Sequence, residues 1–177
     1  MIRMTSSSGF TEIRRIYVIG APGSGKSFLA AKLARVLGII WYDLDGDDLD
    51  AMTEKERTAY IHELRQQTGW ICEATLHGLG IEWVRDADVT IILTSPLIVC
   101  VMRILIRGAW KMAGKQFPGQ LGRESWGSLR FRMGMTWRYK RAILHPFLAE
   151  LRANDLAVMA CADNETAYQA VLRRMNG

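Results

Sequence analysis

The chain has 177 residues, 49% hydrophobic and 23% charged, which suits one α/β domain with a sizeable core and excludes a second domain of similar size. Its three cysteines, Cys72, Cys100 and Cys161, lie far apart in apolar runs, which excludes a C-x-x-C zinc or redox motif and reads as buried free thiols in a reducing cytoplasm. The net charge of +5 is uneven: positions 103–141 carry ten Lys or Arg against one acid, Glu124, a local +9 that leaves −4 over the rest.

Residues 1–13 are Ser-rich, lack the apolar core of a signal peptide and read as a flexible N-terminal tail, so the domain is expected over 14–177. Arg14 to Ile19 (RRIYVI) is β-branched and apolar enough to be a central strand. Directly after it, Gly20-Ala21-Pro22-Gly23-Ser24-Gly25-Lys26-Ser27 fits the pattern G-x-x-x-x-G-K-[ST] at every fixed position. Gly25 to Leu37 then carries a helical apolar stripe that stops at Gly38.

A polyphosphate needs several donors converging on its oxygens, and glycines at 20, 23 and 25 let the backbone curl so that its N–H groups point inward. Lys26 is expected to reach the outer phosphates and Ser27 to offer a hydroxyl to Mg²⁺. The helix start, with Phe28 in its first turn, adds unpaired N–H groups and a positive dipole end. Gly20 to Phe28 are thus the candidate nucleotide-binding residues. The glycines do not spell G-x-G-x-x-G, so a dinucleotide fingerprint is not indicated.

Further along, Ile39 to Asp43 is predicted as a second strand, running into the carboxylate-dense loop Asp43-Leu44-Asp45-Gly46-Asp47-Asp48. A helix is expected over Thr53 to Gln67, with Thr53 as N-cap and Glu56 three residues on. Trp70 to Ala74 reads as a third strand, Ile81 to Ala87 as a short helix and Val89 to Thr94 as a fourth strand. The hydrophobic stretch Val89 to Ile106 is interrupted by Ser95-Pro96 and charged at Arg103, so no membrane span is expected and the protein reads as soluble. Leu97 to Met112 is a helix apolar on most faces, Ala113 to Arg123 a Gly-rich basic loop, and Glu124 to Ala153 a long helical stretch with Pro146 as a candidate break. A fifth strand over Leu156 to Cys161 and a helix over Asn164 to Met175 close the chain. Strands alternating with helices predict a parallel sheet covered on both faces, with the ligand at the carboxyl ends of the strands, where Gly20, Asp43 to Asp45, Glu73 and Thr94-Ser95 fall.

The loop at Gly20 to Ser27, the acidic loop after the second strand and the pair Arg103 and Arg107 ahead of a Gly-containing loop together resemble the adenylate-kinase-like P-loop kinases. That resemblance implies a three-layer P-loop NTPase fold, a five-stranded parallel sheet in the order 2-3-1-4-5, and a lid over about residues 108–125. It also implies ATP and Mg²⁺ as donor and cofactor, with Arg103, Arg107 and Arg123 closing on the transferred phosphoryl group. Asp163, in Ala162-Asp163-Asn164, occupies the position that cups adenine in that family. Trp110 and Trp126 flank the lid and are the tryptophans to test for nucleotide contact. Phosphoryl transfer asks the protein for positioning and for neutralised charge on the equatorial oxygens, which the planar fork of an arginine supplies.

The acceptor side departs from the monophosphate kinases of that family, whose Gly-Asp-x-Leu-Arg segment grips the acceptor's phosphate: here Gly46-Asp47-Asp48-Leu49-Asp50 has a carboxylate in place of the arginine. The Asp43-Leu44-Asp45 pair is similar to the acidic loop of shikimate kinases, and Asp45 to Leu49 to that of gluconate kinases. Trp70-Ile71-Cys72-Glu73 and the basic helix containing Trp137 resemble the topology-modulation proteins. Asp45 is assigned to the acceptor as base or orienter, and Glu73, with Ser27, to Mg²⁺. Two readings follow: an ATP-dependent small-molecule kinase, or a nucleotide-dependent regulatory protein whose Arg130, Arg132, Arg138, Lys140 and Arg141 contact nucleic acid.

Overall fold

In a computed structural model of the chain, which describes residues 13–46, 49, 51–75, 81–113 and 126–176, the first apolar run becomes strand β1 (Arg15–Gly20) at the centre of a sheet. Strand β3 (Trp70–Ala74) flanks it on one side and β4 (Val89–Leu93) on the other, both parallel, and every residue of these three strands except Arg15 is buried. Strands β2 (Trp41–Asp43) and β5 (Met159–Cys161) are short parallel edges, giving the order β2-β3-β1-β4-β5. The expected residues 1–12 of the tail, the lid residues 114–125 with Arg123, and Asp47, Asp48, Asp50 and His77 lie outside the described residues.

Alternate side chains of β1 serve two cores, as the pleat of a strand covered on both faces requires. Ile16 and Val18 pack on helix α1 (Lys26–Leu37) through Leu29 and Leu33, and on α7 (Asn164–Asn176) through Ala167 and Val171. Tyr17 and Ile19 face the other layer, where α2 (Glu54–Gln66) and α3 (Ile81–Asp86) contribute Leu64 and Trp83. Trp83 stacks on Tyr17 and meets Trp70 edge-on. The expected capping box is present: Glu56 N–H donates to Thr53 Oγ1, and Thr53 N–H to Glu56 Oε2. Cys72, Cys100 and Cys161 are buried free thiols.

Two expectations are corrected. The helix after the basic loop does not break at Pro146; α5 (Trp126–Arg138) passes through a π-helical turn, Tyr139–Ile143, directly into α6 (Leu144–Ala153). Proline lacks an N–H and crowds the carbonyl four residues back, here Ala142, which lies in the widened turn. The fifth strand starts at Met159 rather than Leu156, because Leu156 N–H bonds Leu151 O and Asp155 N–H bonds Arg152 O. Those bonds close α6 in a Schellman arrangement with Asp155 left-handed at φ 53°.

Helix α4 (Leu97–Met112) crosses α5 where Gly108 meets Leu129, and a methyl group at Gly108 would collide with the Leu129 side chain. Gly108→Val is therefore expected to overpack this crossing and to lower stability by about 1–3 kcal/mol, read as a shifted urea midpoint.

Candidate active site

The loop Gly20–Ser27 leaves β1 at its buried carboxyl end and turns into α1, and its backbone carbonyls are held from outside by four different elements. Thr136 Oγ1 of α5 shares its proton between Arg132 O of its own helix at 2.8 Å and Pro22 O at 3.1 Å, and Arg103 Nη1 of α4 donates to Ser24 O at 2.9 Å. Ser95 Oγ, just past β4, shares its proton between Ala162 O at 3.0 Å and Ser24 O at 3.3 Å, and Asn164 Nδ2 of α7 donates to Gly25 O at 3.1 Å. Within the loop Ser24 N–H bonds Ala21 O at 3.0 Å. The side chains that hold the loop thus reach it through its carbonyl oxygens. Gly23, at φ 78°, has no room for a side chain against the Cys100 carbonyl.

Lys26 reaches from the first turn of α1 to the carboxyl ends of β2 and β3. Its Nζ lies 3.0 Å from Asp45 Oδ2 and 3.8 Å from Glu73 Oε2, with the side chain 12% exposed. Asp45 is oriented by two backbone bonds: its Oδ2 accepts from Thr75 N–H at 2.6 Å, and its own N–H donates to Asp43 Oδ1 at 2.9 Å. Ser27 Oγ donates to Glu73 Oε2 at 3.0 Å. The sheet thus brings together Lys26, Ser27, Asp45 and Glu73, from three separate stretches of the expected site.

More than nine tenths of the chain aligns with solved kinases. Shikimate kinase from Bacteroides thetaiotaomicron superposes with a TM-score of 0.58 over 94% of this chain and 100% of its own, at 18% identity. Shikimate kinase from Acinetobacter baumannii in complex with shikimate covers 93% of each chain at 17% identity and a TM-score of 0.54. A sugar kinase from Janibacter covers 93% of this chain and 95% of its own at 15% identity and a TM-score of 0.51. The fold is that of the P-loop kinases. No protein-family model and no curated protein matches the sequence.

Charge around Lys26 is strongly conditioned by burial. Burial alone lowers the Lys26 pKa, but Asp45, Glu73 and Asp43 outweigh it and hold the pKa above its ordinary value, so the ammonium stays charged. Glu73 is fully buried, and burial pushes its pKa up to about 7 against the pull of Lys26 and the Ser27 hydroxyl. The firm partner of Lys26 is therefore Asp45, and Glu73 changes its charge near neutrality. Beneath Asp45 lie the buried phenols Tyr17 and Tyr139, the latter presented by the π-helical turn. Burial raises both pKa values and keeps both hydroxyls neutral, helped at Tyr17 by the Asp45 charge and at Tyr139 by Cys100 and then Asp45.

The raised Glu73 pKa has a consequence for stability. Between its ordinary 4.5 and about 7 the folded protein holds a proton on Glu73 that the unfolded chain has released. The contribution is intact below the lower value and lost as pH rises through about 7, by on the order of 3 kcal/mol. Urea midpoints measured across that window are expected to fall with pH in the native protein and to flatten in Glu73→Gln. Equal slopes in the two proteins would contradict the assignment.

Mg²⁺ fits these residues in a limited way. Glu73 Oε1 is buried without a hydrogen-bond partner, and the Ser27 hydroxyl stands beside the same carboxylate. Among the described residues no three His, Cys, Asp or Glu form a metal cage. One hydroxyl and one carboxylate are the small donor set Mg²⁺ uses when phosphates and waters supply its other ligands.

The remaining expected residues divide. Arg103 is at the P-loop, but on its carbonyl side, and the half-buried Arg107 follows one turn later on α4. The Asp163 carboxylate accepts from Thr166 N–H and Thr166 Oγ1 at 2.8 and 2.9 Å and so caps α7, while its neighbour Asn164 makes the P-loop contact. Phe28, Trp110 and Trp126 are exposed. The contacts of Ser95, Thr136 and Asn164 leave no local pattern in the sequence, because single polar residues reach the Gly20–Ser27 loop from 71, 114 and 139 positions away.

Proposed function

We propose that this protein transfers the γ-phosphoryl group of ATP to a hydroxyl group of a small-molecule acceptor. The observation that carries this reading is the 3.0 Å contact between Lys26 Nζ and Asp45 Oδ2. A lysine that neutralises the outer phosphates and a carboxylate that can take a proton share one point at the carboxyl edge of the sheet. That is where the phosphorus and the attacking oxygen of a kinase must meet.

In this reading the N–H groups of the loop, other than that of Ser24, which donates to Ala21 O, cradle the donor phosphates, and Lys26 holds the outermost oxygens. Asp45 orients the acceptor hydroxyl and accepts its proton as the oxygen bonds to phosphorus and the bond to ADP breaks. Ser27 and Glu73 are the residues that would hold Mg²⁺, which supplies charge neutralisation at the phosphates when bound. Arg103 acts as a positioning residue through the Ser24 carbonyl, and Arg107 and Arg123 are assigned to the transferred group.

Acceptor class follows from charge. Asp43, Asp45 and Glu73 surround a single lysine, an environment hostile to a second phosphate and suited to a neutral hydroxyl. The test is an ADP-release screen with polyhydroxylated carboxylic acids, sugars, sugar acids and nucleoside monophosphates, using Lys26→Met as the blank. Stimulation by a hydroxyl-bearing acceptor without phosphate is the expected result. Stimulation by nucleoside monophosphates alone would reverse the acceptor assignment.

A further inference from the structure

Helix α4 is built the wrong way round for a helix that faces only water. Its inner stripe, Cys100, Ile104 and Gly108, is buried, and at 3.6 residues per turn the opposite side should be polar. Instead that side carries Ile98, Met102, Leu105, Ile106 and Trp110, with Ile98 65%, Met102 54% and Ile106 53% exposed. The cations of α4, Arg103, Arg107 and Lys111, run along one edge at a spacing of four rather than across this face. On the adjoining α5, exposed aromatic and basic residues interleave: Trp126, Arg130, Phe131, Trp137 and Arg138, with the Arg141 guanidinium 5.0 Å from the Trp137 ring centre.

We propose that the exposed α4–α5 face docks on the surface of a bilayer containing anionic lipids. An apolar helical face bordered by Lys and Arg, with tryptophans at its margin, is the construction that settles at the boundary of headgroups and acyl chains. The charge is complementary: this face belongs to the segment with ten Lys or Arg and one acid, and the negative surface potential of anionic lipid attracts such a cluster. A second copy would set one +9 segment against another. Nucleic acid would satisfy the cations and leave Ile98, Met102 and Ile106 in water. Among the described residues no helix is long and apolar enough to cross a membrane, and α4 has 16 residues, so the contact is with the surface.

The experiment is co-sedimentation of the full chain with phosphatidylglycerol/phosphatidylcholine vesicles and with pure phosphatidylcholine vesicles, with tryptophan emission recorded in parallel. Binding to the anionic vesicles is expected, weakened by salt and accompanied by a blue shift of the emission. The triple variant Ile98→Ser, Met102→Ser, Ile106→Ser is expected to bind at least about tenfold more weakly. Its circular dichroism and urea midpoint serve as controls for folding. Arg138→Gln with Arg141→Gln provides a second variant in which the apolar face is untouched and anionic binding still falls. Equal binding to neutral vesicles, no binding to either, a dimer that the triple variant dissolves, or DNA binding that the triple variant retains would each overturn the proposal.

Discussion

Lys26→Met is expected to reduce ATP turnover by roughly two to three orders of magnitude, the loss typical of one preorganised charge-stabilising group. Lys26 lies in the first turn of α1, 12% exposed, with its ammonium kept charged by Asp45, Glu73 and Asp43. Methionine has nearly the same length and no charge, so the P-loop backbone keeps its shape while the cation at the outer phosphates is lost. The substitution also removes the group that holds the Glu73 pKa down, so Glu73 takes up its proton fully at neutral pH. Breaking a fully buried ion pair costs about 3–5 kcal/mol. Here the loss should be smaller, because Glu73 escapes by protonation and Asp45 is 27% exposed. Isothermal titration with ATP and Mg²⁺, alongside ADP release, reads both effects. Native affinity and native turnover in the variant would remove Lys26 from the site.

Asp45→Asn is expected to separate the two halves of the reaction. The amide oxygen can still accept the Thr75 N–H, so the loop after β2 should retain its course. A carboxamide cannot take the acceptor's proton, and turnover should fall by about 10²–10⁴, the range over which general acid–base groups contribute. ATP affinity should hold or rise, because Lys26 no longer shares its charge with a carboxylate 3.0 Å away. Parallel losses in ATP affinity and turnover would point instead to a structural role for the Lys26–Asp45 pair.

Much of the donor side is legible in the sequence because it is local. The fixed positions from Gly20 to Ser27 lie between an apolar β-branched run and an amphipathic helix, and β1 and α1 form on either side of them. The Thr53–Glu56 capping box spans four residues and is read as easily. What holds the P-loop in shape is not local: Arg103, Thr136 and Asn164 reach it across 79, 114 and 139 positions, and only the folded sheet puts them there. The Lys26–Asp45 contact lies between these cases, since both residues were singled out but their meeting depends on β2 and β1 being two strands apart. Burial is the other quantity a sequence conceals. Leu97 to Met112 reads as apolar on most faces, yet the sequence of that helix does not reveal which of those faces is left uncovered.

Phosphorus NMR of the protein with ATP, Mg²⁺ and a hydroxyl-bearing acceptor tests phosphoryl transfer most directly. A new phosphate monoester resonance growing in equal amount with ADP, and absent with Lys26→Met, is the result this account predicts. ADP accompanied by inorganic phosphate alone, whichever acceptor class is supplied, would contradict it and leave a nucleotide hydrolase or switch in its place.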